Sequence, residues 1–195
     1  MRIAVLGATG RTGRHLVAAA RARGHEVVAL ARRPATDQVR ADVTEPPTVL
    51  AALHGVDAVV SGLGVRRGED PRTLVAGARL VAAAEVPRIV WLGALGSGVT
   101  AGAFRRPTGA LLAAVLRHEW DAKAEADAAV RAAGGTVVHA GRLTDDGREG
   151  RLVAADQVRS RLIPPTAARS GVAALMIAEA EAPRYAGSTA VTLFG

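Results

Sequence analysis

The sequence predicts an α/β fold, a doubly wound and mainly parallel sheet in a single domain, on three observations. Apolar runs of four to six residues alternate with longer alanine-rich segments of helical period, the pattern of βαβ units. The runs are near-continuously apolar, as strands covered on both faces are. No internal repeat or linker divides the 195 residues, a length that one domain with a sizeable core fills.

Taken in order, Ile3 to Leu6 reads as the first strand, followed by a glycine-bearing turn and a helix from Thr12 to Arg23. Gly24 stands where a helix-terminating glycine belongs, behind Arg21 and Arg23. Glu26 to Ala31 is the second strand and Val39 to Ala41 a short third. Pro46-Pro47 starts a helix that runs to Leu53, and Ala58 to Ser61 is the fourth strand. Pro71 to Glu85 is a helix with Leu74, Ala78, Val81 and Ala82 on one stripe, ended by Pro87. Arg88 to Leu92 is the fifth strand.

Gly93 to Gly109 carries six glycines or prolines in seventeen positions and reads as a loop of functional length. The helix Ala110 to Ala133 follows, with Leu112, Leu116 and Trp120 on one face, and Gly134-Gly135 stops it. Thr136 to His139 is the sixth strand. Gly141 to Gly150 is a polar stretch, Arg151 to Ile163 holds one or two short strands, Ser170 to Glu181 is a helix and Ala190 to Leu193 a last strand. The segments 93–116 and 141–170 are expected to form the substrate side.

Between the first strand and first helix lies Gly7-Ala8-Thr9-Gly10-Arg11-Thr12-Gly13. Glycines there allow a tight turn and close backbone approach, and the free N–H groups of a helix N-terminus hold a pyrophosphate. This placement makes the sheet Rossmann-type and predicts a dinucleotide. Gly7, Thr9, Gly10, Arg11, Thr12 and Gly13 are its candidate contacts; the alternative is a turn that only packs helix on strand. The second strand ends Ala31-Arg32-Arg33-Pro34, without an acid until Asp37. An acid at this point binds a free ribose 2′-hydroxyl, whereas Arg32 and Arg33 suit a 2′-phosphate, so NADP is expected over NAD. A solvated surface doublet is the alternative.

Composition excludes several classes. Without cysteine there is no disulfide, thiolate metal site or cysteine nucleophile, and no metal site is predicted. The 25 basic against 18 acidic residues leave a charge of +7, but aromatics are only 3%, too few for a base-stacking platform, so no nucleic acid is expected. No apolar stretch reaches the ~18–20 residues of a spanning helix; the longest, Ile89 to Phe104, is cut by four glycines. No membrane partner and a cytoplasmic location are expected, with a homodimer left open.

On these motifs, with Ala41-Asp42-Val43, Asp57 to Gly64, Lys123-Ala124-Glu125 and Ala140 to Asp145, the chain resembles the atypical short-chain dehydrogenase/reductase group. Within it, the chain is similar to the small NmrA-like and flavin-reductase/biliverdin-reductase-B-like NAD(P)-binding proteins. The resemblance implies that Asp42 and Val43 border the adenine ring and that Gly62, Leu63 and Gly64 pass beside ribose and phosphates. An Asp42 that only caps the next turn is the alternative.

Relatives of this kind also carry a Ser or Thr after the fifth strand and Tyr-x-x-x-Lys on the next helix. Here those places read Gly93-Ala94 and Glu119-Trp120-Asp121-Ala122-Lys123, so the usual proton donor is missing. Lys123, the single lysine, is the candidate for the nicotinamide ribose, against a surface pair with Glu119 or Asp127. Ser97 and His118 are candidate catalytic groups, and His139, at the end of the sixth strand, is a candidate cofactor contact or a core histidine. Arg105 and Arg106 are candidates to meet a carboxylate or phosphate on a flat, hydrophobic substrate, or else belong to a packed connector. The expected function is an NADPH-dependent reductase passing hydride to a flavin, quinone or carbonyl acceptor. A non-catalytic NADP-binding sensor and an epimerase/dehydratase-like enzyme are the alternatives.

Overall fold

The computed structural model describes residues 1–65, 68–146 and 150–194, without the side chains of 112–114. The Arg66-Arg67 doublet, part of the Gly141–Gly150 stretch and the Leu112 side chain lie outside the described residues. Among the described residues, five α-helices and ten strands run β1 (Arg2–Leu6), α1 (Arg11–Ala22), β2 (Glu26–Ala31), β3 (Val39–Arg40), α2 (Pro46–Leu53), β4 (Ala58–Ser61), α3 (Arg72–Ala83) and β5 (Ile89–Ala94). They continue with α4 (Thr108–Ala132), β6 (Thr136–Ala140), β7 (Arg142–Thr144), β8 (Gly150–Ala154), β9 (Thr166–Ala168), α5 (Arg169–Glu181) and β10 (Thr189–Phe194).

Eight strands form one sheet in the order β3-β2-β1-β4-β5-β6-β10-β8. All neighbours are parallel except β8, which pairs antiparallel with β10. The order reverses direction between β1 and β4, and in open α/β sheets that reversal opens a crevice at the strand carboxyl ends.

Side chains alternate across the sheet, as a two-residue period requires. Ile3, Val5 and Val138 pack with Leu16, Val172, Met176 and Ile177 under α1 and α5. Ala4, Leu6, Val59 and Trp91 pack with Val49, Leu74, Val81, Ala126 and Val130 under α2, α3 and α4. The two cores explain why the strands read as apolar runs: most residues of β1, β2, β4 and β6 are buried, on one face or the other.

Two expectations change. Gly93 to Gly109 is not one loop. Gly93 and Ala94 extend β5, paired with His139 and Ala140, a 3₁₀ turn spans Gly98–Ala103, and α4 begins at Thr108. Glycine inside a strand marks close approach of a neighbour, and a β-carbon on Gly93 would meet the His139 ring at 2.5 Å. Arg142–Thr144, expected as part of a polar stretch, pairs in parallel with Thr166–Ala168 as a small second sheet.

The carboxyl ends of α1 and α5 are tied by a charge cluster. Arg23 Nε donates to Glu181 Oε1 at 2.8 Å, with His25 Nε2 2.7 Å from the same oxygen. Arg88 Nη1 donates to the carbonyls of Ala180 and Glu181. Hydrogen bonding from Arg23, then from His25, lowers the Glu181 carboxyl to about 2. A depressed carboxyl stabilises the fold above its unfolded value of about 4.5 and loses that contribution as pH falls through the folded value. Glu181→Gln should therefore cost about 1 kcal/mol at pH 7, after solvent screening. Urea unfolding of both proteins at several pH values should show that gap shrinking below about pH 4.5.

Candidate functional site

The turn after β1 is built by backbone contacts that side chains would block. Gly7 has φ +78°, a conformation that L side chains rarely adopt. A β-carbon on Gly13 would lie 2.0 Å from the Gly7 carbonyl oxygen. The Gly10 N–H donates to that oxygen at 2.9 Å, Ala8 N–H reaches Leu30 O on β2, and Gly62 N–H reaches Leu6 O on β1. The first helical bond of α1 runs from Arg14 N–H to Gly10 O, so the amides of Arg11, Thr12 and Gly13 precede it. No acid stands in that first turn. The positive end of the helix dipole and its open amides are a cradle for an anion.

A cleft of about 540 Å³ opens in front of this turn at the carboxyl ends of β1, β2 and β4, within the usual ~300–1,000 Å³ of small-molecule sites. Gly7, Thr9 and Gly10 form its floor, Arg32 and Arg33 one side, Asp42 and Val43 a second, Gly62, Leu63 and Gly64 a third. Ten of the residues singled out from the sequence thus share one cavity. Thr12 and Gly13 are buried behind it. Arg40 and Glu69, which sequence reasoning missed, also line it; Arg40 gave a signal as the basic residue ending β3.

The charges in the cleft are held in pairs. Arg32 Nη2 donates to Glu69 Oε1 at 2.8 Å and Arg40 Nη2 to Glu45 Oε1 at 2.6 Å. Arg33 is exposed and has no ion pair among the described residues. Asp42 Oδ1 accepts from the Thr44 N–H at 2.9 Å and the Thr44 hydroxyl at 2.8 Å. The Thr44 N–H is the main cause holding this carboxyl below its ordinary value, with Arg32 and Arg40 adding to it. Asp42 therefore caps the turn and lines the cleft at once.

Arg11 points toward β7: its Nη2 pairs with Asp145, whose Oδ1 also accepts from Arg169 Nη1 at 2.7 Å. Both arginines lower the Asp145 carboxyl. Asp145 stood in the Ala140-to-Asp145 motif without a role, because nothing in the sequence spacing brings residue 145 beside residue 11.

The far end of the crevice, at β5 and β6, is arranged differently. His139 is fully buried, with Nε2 2.9 Å from Asp127 Oδ2 and Nδ1 2.8 Å from the Thr100 hydroxyl. Thr100 also accepts from Gly96 N–H and lies 3.0 Å from Ser97 O. The His139 ring thus faces the interior, where it fastens the 96–100 turn to α4. Ser97 is 1% exposed and its hydroxyl donates to Ala94 O at 2.8 Å. His118 is exposed on α4.

Lys123 is half-buried on α4. Trp120 and Ala124 pack against Gly96 and Gly98, and Asp127 against Gly93, so this face of α4 lies over the carboxyl end of β5. Lys123 shares it. Asp127 is turned onto His139, and Lys123 makes no ion pair with it or with Glu119 among the described residues. Arg105 and Arg106 are exposed ahead of α4.

A family model described as NAD(P)H-binding matches residues 7–183. The chain belongs to the NAD(P)H-binding family. The match spans the glycine turn, the cleft and α5, in agreement with the resemblance that the motifs carry. Among solved structures, this family member is similar along its whole length to an oxidoreductase from Lactococcus lactis, with 21% identity, 91% of that chain covered and a TM-score of 0.82. An anaerobilin reductase from Escherichia coli matches with 17% identity, 97% of its chain covered and a TM-score of 0.80. At these identities the likeness is one of fold. An uncharacterised protein of Mycobacterium tuberculosis is 42% identical over 76 residues, 36% of this chain and 9% of the relative's own length. The match thus accounts for a small part of that much longer protein.

The glycine turn makes a direct prediction. Gly13→Ala forces the Gly7 carbonyl aside and should lower dinucleotide affinity by at least about tenfold, ~1.4 kcal/mol. Fluorescence titration with NADPH reads the loss, and far-UV circular dichroism checks that the fold is kept.

Proposed function

We propose that the protein is an NADPH-dependent reductase whose acceptor is small and flat or hydrophobic, of the flavin or quinone class. The observation that carries the cofactor choice is the group of three guanidiniums, Arg32, Arg33 and Arg40, lining the cleft where β2 and β3 end. A 2′-phosphate placed there takes charge-assisted bonds that a free hydroxyl cannot. Arg32 must then exchange Glu69 for the phosphate, and an exposed pair of this kind is weak enough to exchange.

When bound, NADPH supplies the hydride. The chain's own residues hold and orient it: the amides of Arg11, Thr12 and Gly13 take the pyrophosphate, Val43 and Leu63 wall the adenine end, and Lys123 reaches the nicotinamide ribose. Gly93 stands where relatives have a hydroxyl, and the Ser97 hydroxyl is buried on Ala94 O. An acceptor that draws its proton from water suits such a site, which is why flavins and quinones are favoured over carbonyls.

The same buried Ser97 favours one second reading, a protein that binds NADP without turnover and senses redox state. NADPH oxidation against a panel of flavins, quinones and carbonyls separates the two: a sensor oxidises NADPH with none of them.

For the cofactor choice, an Arg32→Ala/Arg33→Ala variant is expected to lose at least about tenfold in NADPH affinity and little in NADH affinity. Equal NADPH affinity in variant and wild type would remove the 2′-phosphate assignment. Glu69→Gln, which frees Arg32 from a competing carboxylate, should tighten NADPH by about threefold to tenfold while leaving NADH nearly unchanged.

A further inference from the structure

Phe104 joins two segments far apart in sequence. It forms a parallel bridge with Arg161, flanked by Arg105 N–H to Arg161 O at 2.8 Å and Arg161 N–H to Ala103 O at 2.9 Å. The Phe104 side chain is 8% exposed, and Gly109 in the first turn of α4 approaches it so closely that a β-carbon would lie 3.5 Å from its Cβ. The 3₁₀ turn, the start of α4 and residues 161–163 therefore meet at one junction.

Around that junction the large apolar side chains point outward. Leu111 is 67% and Val115 72% exposed, one helical turn apart on α4, and Leu162 is 56% and Ile163 76% exposed just past Arg161. Arg105, Arg106, Arg159 and Arg161 lie in the same two segments, all exposed and without an ion pair among the described residues. Residues 97–118 and 157–169 contain no Asp or Glu. Glu119, one turn beyond Val115, and the exposed Asp156 border these stretches.

We propose that this surface docks onto an anionic lipid bilayer, with the four aliphatic side chains entering the acyl boundary and the arginines meeting lipid phosphates. Aliphatic side chains ringed by unpaired basic residues are what an interfacial surface needs. Charge decides against a second copy of the chain, since a two-fold interface would set the same patch against itself and oppose four arginines with four arginines. Nucleic acid is disfavoured because none of the protruding apolar side chains is aromatic and none offers a stacking face. The expectation of no membrane partner rested on the lack of a spanning segment. Among the described residues no helix is long and apolar enough to cross a bilayer, but docking on its surface requires none.

The test is co-sedimentation of the full chain with vesicles of phosphatidylcholine alone and with phosphatidylglycerol added, alongside Val115→Ser/Ile163→Ser and Arg159→Glu/Arg161→Glu variants. Binding should rise at least about fivefold with phosphatidylglycerol, weaken at high salt, and fall at least about fivefold in each variant. NADPH titration of the same samples should give unchanged affinity in both variants. That readout separates failure at this surface from failure of the cofactor assignment. Equal binding to both vesicle types, wild-type binding by either variant, or tighter binding to duplex DNA than to anionic vesicles would each overturn the proposal. So would a dimer in sedimentation velocity that the Val115→Ser/Ile163→Ser variant abolishes.

Discussion

The carbonyl oxygen of Gly7 lies where any side chain at position 13 would need room, 2.0 Å from the place of a β-carbon. That contact fixes how closely α1 approaches the end of β1. Because α1 begins there, its open amides sit at the carboxyl edge of the sheet, at the reversal between β1 and β4. The bonds from Ala8 to Leu30 and from Gly62 to Leu6 hold the neighbouring strands to the same turn, so the crevice walls share one reference point. The cleft walls, its arginines and the anion cradle follow from that geometry.

The net charge of +7 is distributed in two ways. Around the cleft each of Arg11, Arg32 and Arg40 is held by a carboxylate, on Asp145, Glu69 and Glu45. Exposed pairs of this kind contribute at most about 1 kcal/mol each, so they place the cations near an incoming anion without preventing exchange. Among the described residues, Arg105, Arg106, Arg159 and Arg161 around Phe104 have no such ion pair. The same residue type therefore acts as a pre-placed ligand group at one edge of the molecule and as an uncompensated field at another.

Much of this was legible in the sequence because burial on both faces of a parallel sheet writes itself as apolar runs. Strands β1, β2, β4, β5 and β6 and all five helices were readable within a few residues. Gly93 was misleading: glycine breaks most strands, and the His139 ring that requires it at this position lies 46 residues away in the chain. The pairing of Arg142–Thr144 with Thr166–Ala168 was hidden because short mixed-polarity segments have no period to read. In the site, the glycines, arginines and Asp42 were legible through local motifs. The inward turn of His139 onto Asp127 and Thr100, and the reach of Asp145 to Arg11, were not, since each joins residues that only the folded chain brings together.

The molecule thus has a well-formed cleft at the ends of β1, β2 and β4, whereas at the ends of β5 and β6 Ser97, Thr100 and His139 are engaged in fastening the 96–100 turn. In the proposed complex a dinucleotide lies across the β1–β4 reversal with its pyrophosphate on the start of α1. Hydrogen–deuterium exchange with and without NADPH distinguishes this placement from others. Slowed exchange is expected at the amides of Arg11, Thr12 and Gly13 and at Gly62 to Gly64. Unchanged exchange there, with protection appearing elsewhere on the chain, would contradict it.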